Sequence, residues 1–302
     1  MELYLGLGAN LGDRERNLRR AIERIKKIPA VKLLRVSSFY ESEPWGVEGQ
    51  PNYINAAIKI FTELEPLDLL DELQRIELEL GRIRREHWGA RTIDIDILFG
   101  AEISCERLTV PHKFLFERDF ALIPLTEIFP ALEFKLHGDK VFRISGSPTD
   151  FKFKLVACVD KNFGLGYKNN LLFRLPEDLK NFRRLTLNHT IIFGRRTLET
   201  FPNRKPLDER RNIILSRSLK NFSGAEVVGS VEELFNVLDA AEENFVIGGA
   251  EIFCELIPYA AEIFLTVVNA EAQADVFFPK PDEFNLRGVK KFDGFEFRRY
   301  AR

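Results

Sequence analysis

The apolar pattern of this chain lapses between about Leu136 and Asp150, and that lapse limits what the chain can fold into. His137-Gly138-Asp139-Lys140 and Ser145-Gly146-Ser147-Pro148-Thr149-Asp150 are turn formers, and a new apolar strand, Lys154-Leu155-Val156-Ala157-Cys158-Val159, begins beyond them. A segment with nothing to bury does not carry one core across itself, so the 302 residues are expected to form two domains, 1–146 and 147–302.

Hydrophobic spacing in the first half predicts a strand at 3–8, a helix at 14–28 and a strand at 32–42, then a second series at 53–61, 66–81 and 93–99. The helix over 66–81 starts with Pro66 and places Leu69, Leu70, Leu73, Ile76 and Leu80 at helical spacing. The order β-α-β-β-α-β reads as an α+β ferredoxin-like sheet. RNA-binding domains share that fold, but no strand here has their aromatic richness. The second half alternates strands (153–159, 190–193, 211–216, 225–228, 244–247, 262–269) with helices (177–187, 195–201, 231–241, 250–257) and closes on a β segment at 292–300. Such alternation implies an α/β doubly wound, mostly parallel sheet with ligands at the carboxyl ends of its strands.

A formal net charge of −2 and a pI near 6.2 leave no electrostatic footprint for nucleic acid or an anionic membrane, so small molecules are the expected partners. No run approaches about 18 apolar residues, and Met1-Glu2-Leu3-Tyr4-Leu5-Gly6 lacks a basic start, so a cytoplasmic protein is expected. Cys105, Cys158 and Cys254 are odd in number and widely spaced, and read as reduced thiols.

Chemistry concentrates at 87–98, His-Trp-Gly-Ala-Arg-Thr-Ile-Asp-Ile-Asp-Ile-Leu. Acids alternate with Ile through 93–97, and a strand with that period projects Asp94 and Asp96 from one face, about 7 Å apart. Two like charges so placed repel, and a hard divalent cation removes the repulsion, which makes Mg²⁺ the expected metal. Arg82, Arg84, Arg85 and Arg91 supply planar cations that match phosphate oxygens, and acids with arginines are what phosphoryl transfer from a nucleotide uses. The alternative is a solvated edge strand neutralised by those arginines.

This stretch resembles the signature of the 6-hydroxymethyl-7,8-dihydropterin pyrophosphokinases, which move a pyrophosphoryl group from ATP to a pterin alcohol. The similarity runs from residue 3 to about residue 135 and takes in Ser37-Ser38-Phe39-Tyr40, Gln50-Pro51-Asn52-Tyr53-Ile54-Asn55-Ala56-Ala57, Gln74-Arg75-Ile76-Glu77 and Arg107-Leu108-Thr109-Val110-Pro111-His112. The resemblance implies ATP and Mg²⁺, with Asp94 and Asp96 as metal ligands and Arg82 and Arg91 as catalytic cations. It also implies a pterin ring between Tyr53 and Phe120 with Asn55 reading its edge, and ATP contacts at Gln74, Glu77, Arg84, Trp88, Ile97, Arg107, Thr109, His112 and Arg118. Tyr53 and Phe120 have a plainer reading as core aromatics in a chain with 27 Phe, and His112 as a turn residue after Pro111. Lys113 stands where the family frequently has Tyr.

In the second half two strand ends stand out. Ile247-Gly248-Gly249-Ala250 lets a backbone approach a pyrophosphate, and Gly194-Arg195-Arg196-Thr197 adds two arginines, which favours NADPH over NADH. Tight packing also explains such a glycine pair. With Ala157-Cys158-Val159-Asp160, Gly164-Leu165-Gly166, Leu175-Pro176-Glu177-Asp178-Leu179, Asn181-Phe182, Arg211-Asn212-Ile213-Ile214-Leu215-Ser216 and Leu265-Thr266, these blocks make residues 153–300 similar to dihydrofolate reductase. That resemblance implies NADPH-dependent reduction of 7,8-dihydrofolate, with Asp178 as the active-site acid oriented by Thr266. Phe182 and Leu207 would line the benzoyl region and Arg210 would meet the glutamate carboxylate. The cofactor would lie against Ala157, Gly166, Gly194, Arg195, Arg196, Thr197, Ser216, Arg217, Ile247, Gly248, Gly249 and Ala250. Asp178 has a plainer reading as an acid complementing its helix dipole, and Arg210 as a loop arginine. Phe173 stands where the family commonly has Trp, and Phe253 where it commonly has Tyr. Two other classes stay open: a related pyrimidine reductase of riboflavin synthesis, against which the Pro-Glu-Asp context of Asp178 and Phe182 argue, and a catalytically silent pterin-binding module.

Overall fold

Leu3, Leu5, Leu7 and Ala9 alternate along the first strand, all buried on one face of a sheet. The computed structural model describes the whole chain apart from residues 47–48, 83–88 and 145–146 and the side chain of Glu232. Contacts divide it into two units, Met1–Asp150 and Phe151–Arg302. Among the described residues no helix is long and apolar enough to cross a membrane.

The first unit runs β1 (Glu2–Ala9), α1 (Arg14–Ile25), β2 (Val31–Val36), β3 (Tyr40–Ser42), β4 (Tyr53–Thr62), α2 (Pro66–Glu79) and β5 (Asp94–Phe99), then β6 (Ile103–Ser104), β7 (Thr109–Val110), α3 (Asp119–Ile128) and β8 (Val141–Arg143). Its main sheet is antiparallel in the order β5-β1-β4-β3-β8, with β2 also paired to β4. Asp13 caps α1 by accepting the Arg16 N–H at 3.1 Å, and Pro66 opens α2. The apolar stripes of these two helices, Leu18, Ile22 and Ile25 on α1 and Leu69, Leu73 and Ile76 on α2, are buried where the helices meet β1, β4 and β5. On the opposite face α3 covers the end of the sheet around Tyr4, Ala57 and Leu98 and leaves the other end as a cleft.

One expectation for this half needs correction, and one helix has no counterpart among the expected elements. The strand expected at 32–42 is two strands, because side chains take over at Ser37 and Ser38. Ser37 Oγ accepts the Ala57 N–H at 2.9 Å, and both the N–H and the hydroxyl of Ser38 donate to Glu127, at 2.8 and 2.9 Å. Helix α3 has no periodic signal to announce it: its sequence DFALIPLTEI is apolar on most sides and holds Pro124 inside.

The second unit contains β9 (Phe153–Val159), β10 (Gly164–Tyr167), β11 (Asn170–Leu171), α4 (Pro176–Thr186), β12 (Thr190–Gly194), α5 (Arg195–Leu198), β13 (Arg211–Leu215), β14 (Glu226–Val228), α6 (Val231–Val237), β15 (Asn244–Gly248), α7 (Ala250–Leu256), β16 (Ala260–Val268), β17 (Val276–Phe277), β18 (Asn285–Lys291) and β19 (Phe295–Ala301). The large sheet, in the order β14-β13-β12-β15-β9-β16-β19-β18, is parallel from β14 to β16 and antiparallel through the last two strands. A small sheet, β11-β10-β17, stands beside it. The helix expected at 195–201 is one turn, ending ahead of Phe201, whose backbone the following Pro202 keeps extended. The helix expected at 231–241 stops at Val237, and soon after it the Asp239 carboxylate takes the Ala241 N–H at 2.8 Å to make a local turn. The closing β segment is a hairpin, turned at Asp293-Gly294 with Gly294 at φ +81.

Candidate active sites

Cross-strand register builds the floor of the first site. Gly8 pairs with Asn55 on one side and Asp94 on the other, and Gly6 pairs with Ala57 and Asp96. Directly paired residues share a face, so both aspartates and Asn55 flank a strip of β1 that carries no side chains. The strip is also tightly covered, since a Cβ at Gly6 would come within 2.9 Å of the Leu98 side chain and one at Gly8 within 3.3 Å of Asn55 Oδ1. Above it lies a cleft that brings together Tyr53, Asn55, Arg91, Asp94, Asp96, His112, Arg118 and Phe120. Ser42, Glu43, Trp45 and Gln50 also line it and were not singled out from the sequence, where only Gln50 sits in a recognisable block.

Arginines hold the acids. Arg91 pairs with Asp94, and Arg82 bridges Glu77 and Asp94, the latter at 2.6 Å. Asn10 Oδ1 accepts the Arg91 N–H at 2.7 Å while its Nδ2 donates to Gln50 at 3.1 Å, tying the turn after β1 to two walls of the cleft. Glu77 is 2% exposed and accepts, at 2.7 Å, the N–H of Ile95, the residue between the two aspartates. Burial, reinforced by Asp94, pushes the Glu77 carboxyl above the usual carboxylate range. Burial and then Asp94 and Glu77 do the same to Asp96, against Arg118 and Arg82. Among the described residues no three His, Cys, Asp or Glu side chains form a metal cage. A pair of crowded carboxylates can hold Mg²⁺, because that ion takes one or two carboxylates and completes its shell with water and phosphate oxygens. Burial and Arg118 hold the His112 imidazole below its usual value, so the ring is neutral, and its Nδ1 accepts the Phe114 N–H at 3.3 Å.

Other residues named from the sequence are not brought to this cleft. Glu77 and Ile97 are buried, Gln74 is half-buried on α2, Arg107 pairs with Asp71 on the surface and Thr109 is exposed on β7. Arg82 stands behind Asp94 and outside the lining. Arg84 and Trp88 lie outside the described residues, as does Gly146 at the expected domain boundary.

In the second unit Asp178 lies in the first turn of α4 and accepts the Thr266 hydroxyl of β16 at 2.5 Å. Burial raises its carboxyl and the Thr266 hydrogen bond opposes the rise. Cys158 pairs with Thr266 in the ladder, and burial together with the Asp178 charge pushes its thiol far up, so it stays protonated. Phe182 and Leu207 pack against the buried cluster of Val156, Ile191, Phe193, Leu198, Ile214 and Phe245. Arg210 Nε donates to Thr186 Oγ1 at 2.8 Å with its guanidinium 5.8 Å from the Phe182 ring, and burial and Arg183 hold it below the usual arginine value.

The glycine turns meet because Phe193 pairs with Gly248. Gly248 has φ +131 and a cis bond to Gly249, and a Cβ on it would meet Thr197 Oγ1 at 3.2 Å. Gly194, Thr197, Gly248, Gly249 and Ala250 thus share one corner at the ends of β12 and β15, with Ile247 half-buried just before it. Arg195, Arg196 and Arg217 are all exposed, and Arg195 pairs with Glu199 at 2.6 Å. Ser216 Oγ accepts the Leu219 N–H at 3.2 Å, Ala157 is half-buried on β9, and Gly166 lies in the small sheet, where a Cβ would meet the Asn170 carbonyl at 2.9 Å.

Residues 4–130 match the family model for 7,8-dihydro-6-hydroxymethylpterin-pyrophosphokinase (HPPK), and residues 152–296 match the model for dihydrofolate reductase. The 2-amino-4-hydroxy-6-hydroxymethyldihydropteridine pyrophosphokinase of Haemophilus influenzae is 50% identical over 127 residues, covering 41% of this chain and 79% of that protein. A protein of the same name from Methylorubrum extorquens is 47% identical over 131 residues, 43% of this chain and 83% of its own length. The bifunctional protein FolKE of Lactococcus lactis subsp. cremoris is 49% identical over 127 residues, 41% of this chain and 36% of that protein. The chain therefore belongs to the HPPK family through its first half, a pyrophosphokinase domain joined to the dihydrofolate reductase domain of its second.

Proposed function

We propose that the chain is a bifunctional folate-synthesis enzyme. Its first unit transfers a pyrophosphoryl group from ATP, with Mg²⁺, to 6-hydroxymethyl-7,8-dihydropterin, and its second reduces 7,8-dihydrofolate to tetrahydrofolate with NADPH. The antiparallel order β5-β1-β4-β2 supports a ferredoxin-like reading of the first sheet, and the parallel run from β14 to β16 supports a doubly wound second one. Small molecules are the partners in this reading, nucleic acid is not, and the setting is cytoplasmic.

The observation that carries the first activity is the shared surface of Asp94, Asp96 and Asn55 with Tyr53 and Phe120 as walls. Two aromatic walls suit a flat heterocycle. Asn55 Nδ2 donates to Ser42 at 2.9 Å, which fixes the amide with its oxygen over Gly8 for the ring edge. Bound Mg²⁺ would neutralise and orient the phosphate oxygens at the two aspartates. Glu77 and Arg82 keep those aspartates in place through the Ile95 amide and Asp94. Arg91 and Arg118 present cationic donors where charge grows on the transferred group, and neutral His112 adds a hydrogen-bonding ring.

NADPH would supply the hydride of the second reaction. Asp178, raised by burial and held by Thr266, hydrogen-bonds the amidine edge of the pterin and helps a water protonate the ring nitrogen. Phe182 and Leu207 wall the benzoyl region, and Arg210, half-buried beside Phe182, takes the glutamate carboxylate. One preparation tests both activities: AMP release with the pterin alcohol, ATP and Mg²⁺, and loss of NADPH absorbance with dihydrofolate. Silence in either assay removes that half of the reading.

A further inference from the structure

Arg118 enters the first cleft at the foot of α3. The next residue, Asp119, is buried and accepts the N–H groups of His137, Gly138 and Asp139 at 3.0, 2.8 and 3.0 Å, which pins that end of the helix. The Arg118 guanidinium carbon lies 4.6 Å from the centre of the Trp45 ring and 4.9 Å from that of Phe114. The two rings are themselves 6.1 Å apart, so they form two walls of one corner, with Phe120 farther off at 5.7 Å. Arg118 Nε is buried and has no hydrogen-bond partner among the described residues. A ring face holds a guanidinium without consuming its N–H groups, whereas an ion pair consumes them. A buried donor left unmade is costly and calls for an acceptor.

We propose that Trp45 is a positioning residue for pyrophosphoryl transfer: with Phe114 it stacks Arg118 into the cleft and leaves its N–H edge free for an anionic oxygen of the nucleotide. The inference rests on the ATP reading of this cleft. Trp45 then acts only through Arg118, and that makes a double-mutant cycle the decisive experiment.

Trp45→Leu, Trp45→Phe, Arg118→Ala and the Leu/Ala double variant of the full chain would be compared for binding of the α,β-methylene analogue of ATP with Mg²⁺, and for KM and kcat of AMP formation. Trp45→Leu should weaken the analogue and raise the KM for ATP by roughly three- to tenfold, with kcat less affected, while Trp45→Phe stays near the parent. In the Arg118→Ala background Trp45→Leu should add nothing. Losses that multiply, or that fall on the KM of the pterin, overturn the proposal and make Trp45 a wall of the pterin pocket. If Trp45→Leu does not fold, Trp45→His carries the same cycle. A parent that binds the analogue yet makes no AMP refutes the pyrophosphokinase reading and leaves the cycle intact; a parent that does not bind the analogue refutes both.

Discussion

Glu77 separates a ligand contact from a structural support. Its carboxylate serves the buried Ile95 N–H at 2.7 Å and the Arg82 guanidinium, whose side chain is 15% exposed. Glu77→Ala orphans the amide, which costs about 1 to 3 kcal/mol, and removes a charge-assisted bond of about 1.5 to 3 kcal/mol, softened because Arg82 keeps Asp94 at 2.6 Å. These terms add to about 2.5 to 6 kcal/mol before that softening, and about 3 to 5 kcal/mol is the usual range for breaking one side of a buried pair. With a urea slope of about 2 kcal/mol/M the midpoint should fall by roughly 1.5 to 2.5 M. Trp45 lies in the first unit and Trp88 falls within the same sequence span, so tryptophan fluorescence reports on that half. Glu77→Gln keeps an acceptor for Ile95 and should cost no more than about 1.5 kcal/mol. Removing that negative charge also relieves Asp96, so the acid limb of the pH profile for AMP formation should move to lower pH. A Glu77→Ala variant that unfolds with the parent, while its KM for ATP rises tenfold, would refute the reasoning and restore Glu77 to the nucleotide site.

Replacing Asp94 or Asp96 with Ala should abolish Mg²⁺-dependent AMP formation and leave NADPH oxidation by dihydrofolate intact; equal loss of both counts against independent sites. Asp178→Asn should lower reductase turnover by about 10² to 10⁴, with the deficit shrinking at lower pH. Because burial raises Asp178, the folded state keeps its proton to higher pH than the unfolded chain, so this group costs stability as pH rises above the ordinary carboxylate value. The Asn variant should therefore melt higher than the parent at pH 7 and level with it near pH 3; a lower melting point at pH 7 contradicts the sign. Arg195 already has Glu199 as a partner, so Arg196→Ala and Arg217→Ala should each weaken NADPH more than Arg195→Ala does and leave NADH nearly unchanged. Unaltered NADPH preference in the Arg196/Arg217 pair means the extra phosphate is read elsewhere.

Much of this was legible in the sequence wherever a period was clean. The alternation at 93–97 announces a strand with both aspartates on one face, and the stripe from Leu69 to Ile76 announces α2. Legibility fails where side chains replace the ladder, as at Ser37 and Ser38, and where an element has no polar face, as in α3. Motif and geometry also part company at Glu77. Its block marks a site residue, yet its position on the apolar stripe of α2 already points it at the sheet, and the structure leaves it buried behind the aspartates. The corner of Trp45, Phe114 and Arg118 spans more than 70 positions and has no local pattern that could reveal it.

Each proposed site draws its residues from one unit only, 1–150 or 151–302. Joining two units in one polypeptide makes their copy numbers equal by synthesis. Transcription and message decay then lose any hold over the ratio of the two activities, which is left to turnover, substrate supply and inhibition. Any rise or fall in the amount of this chain raises or lowers both domains together.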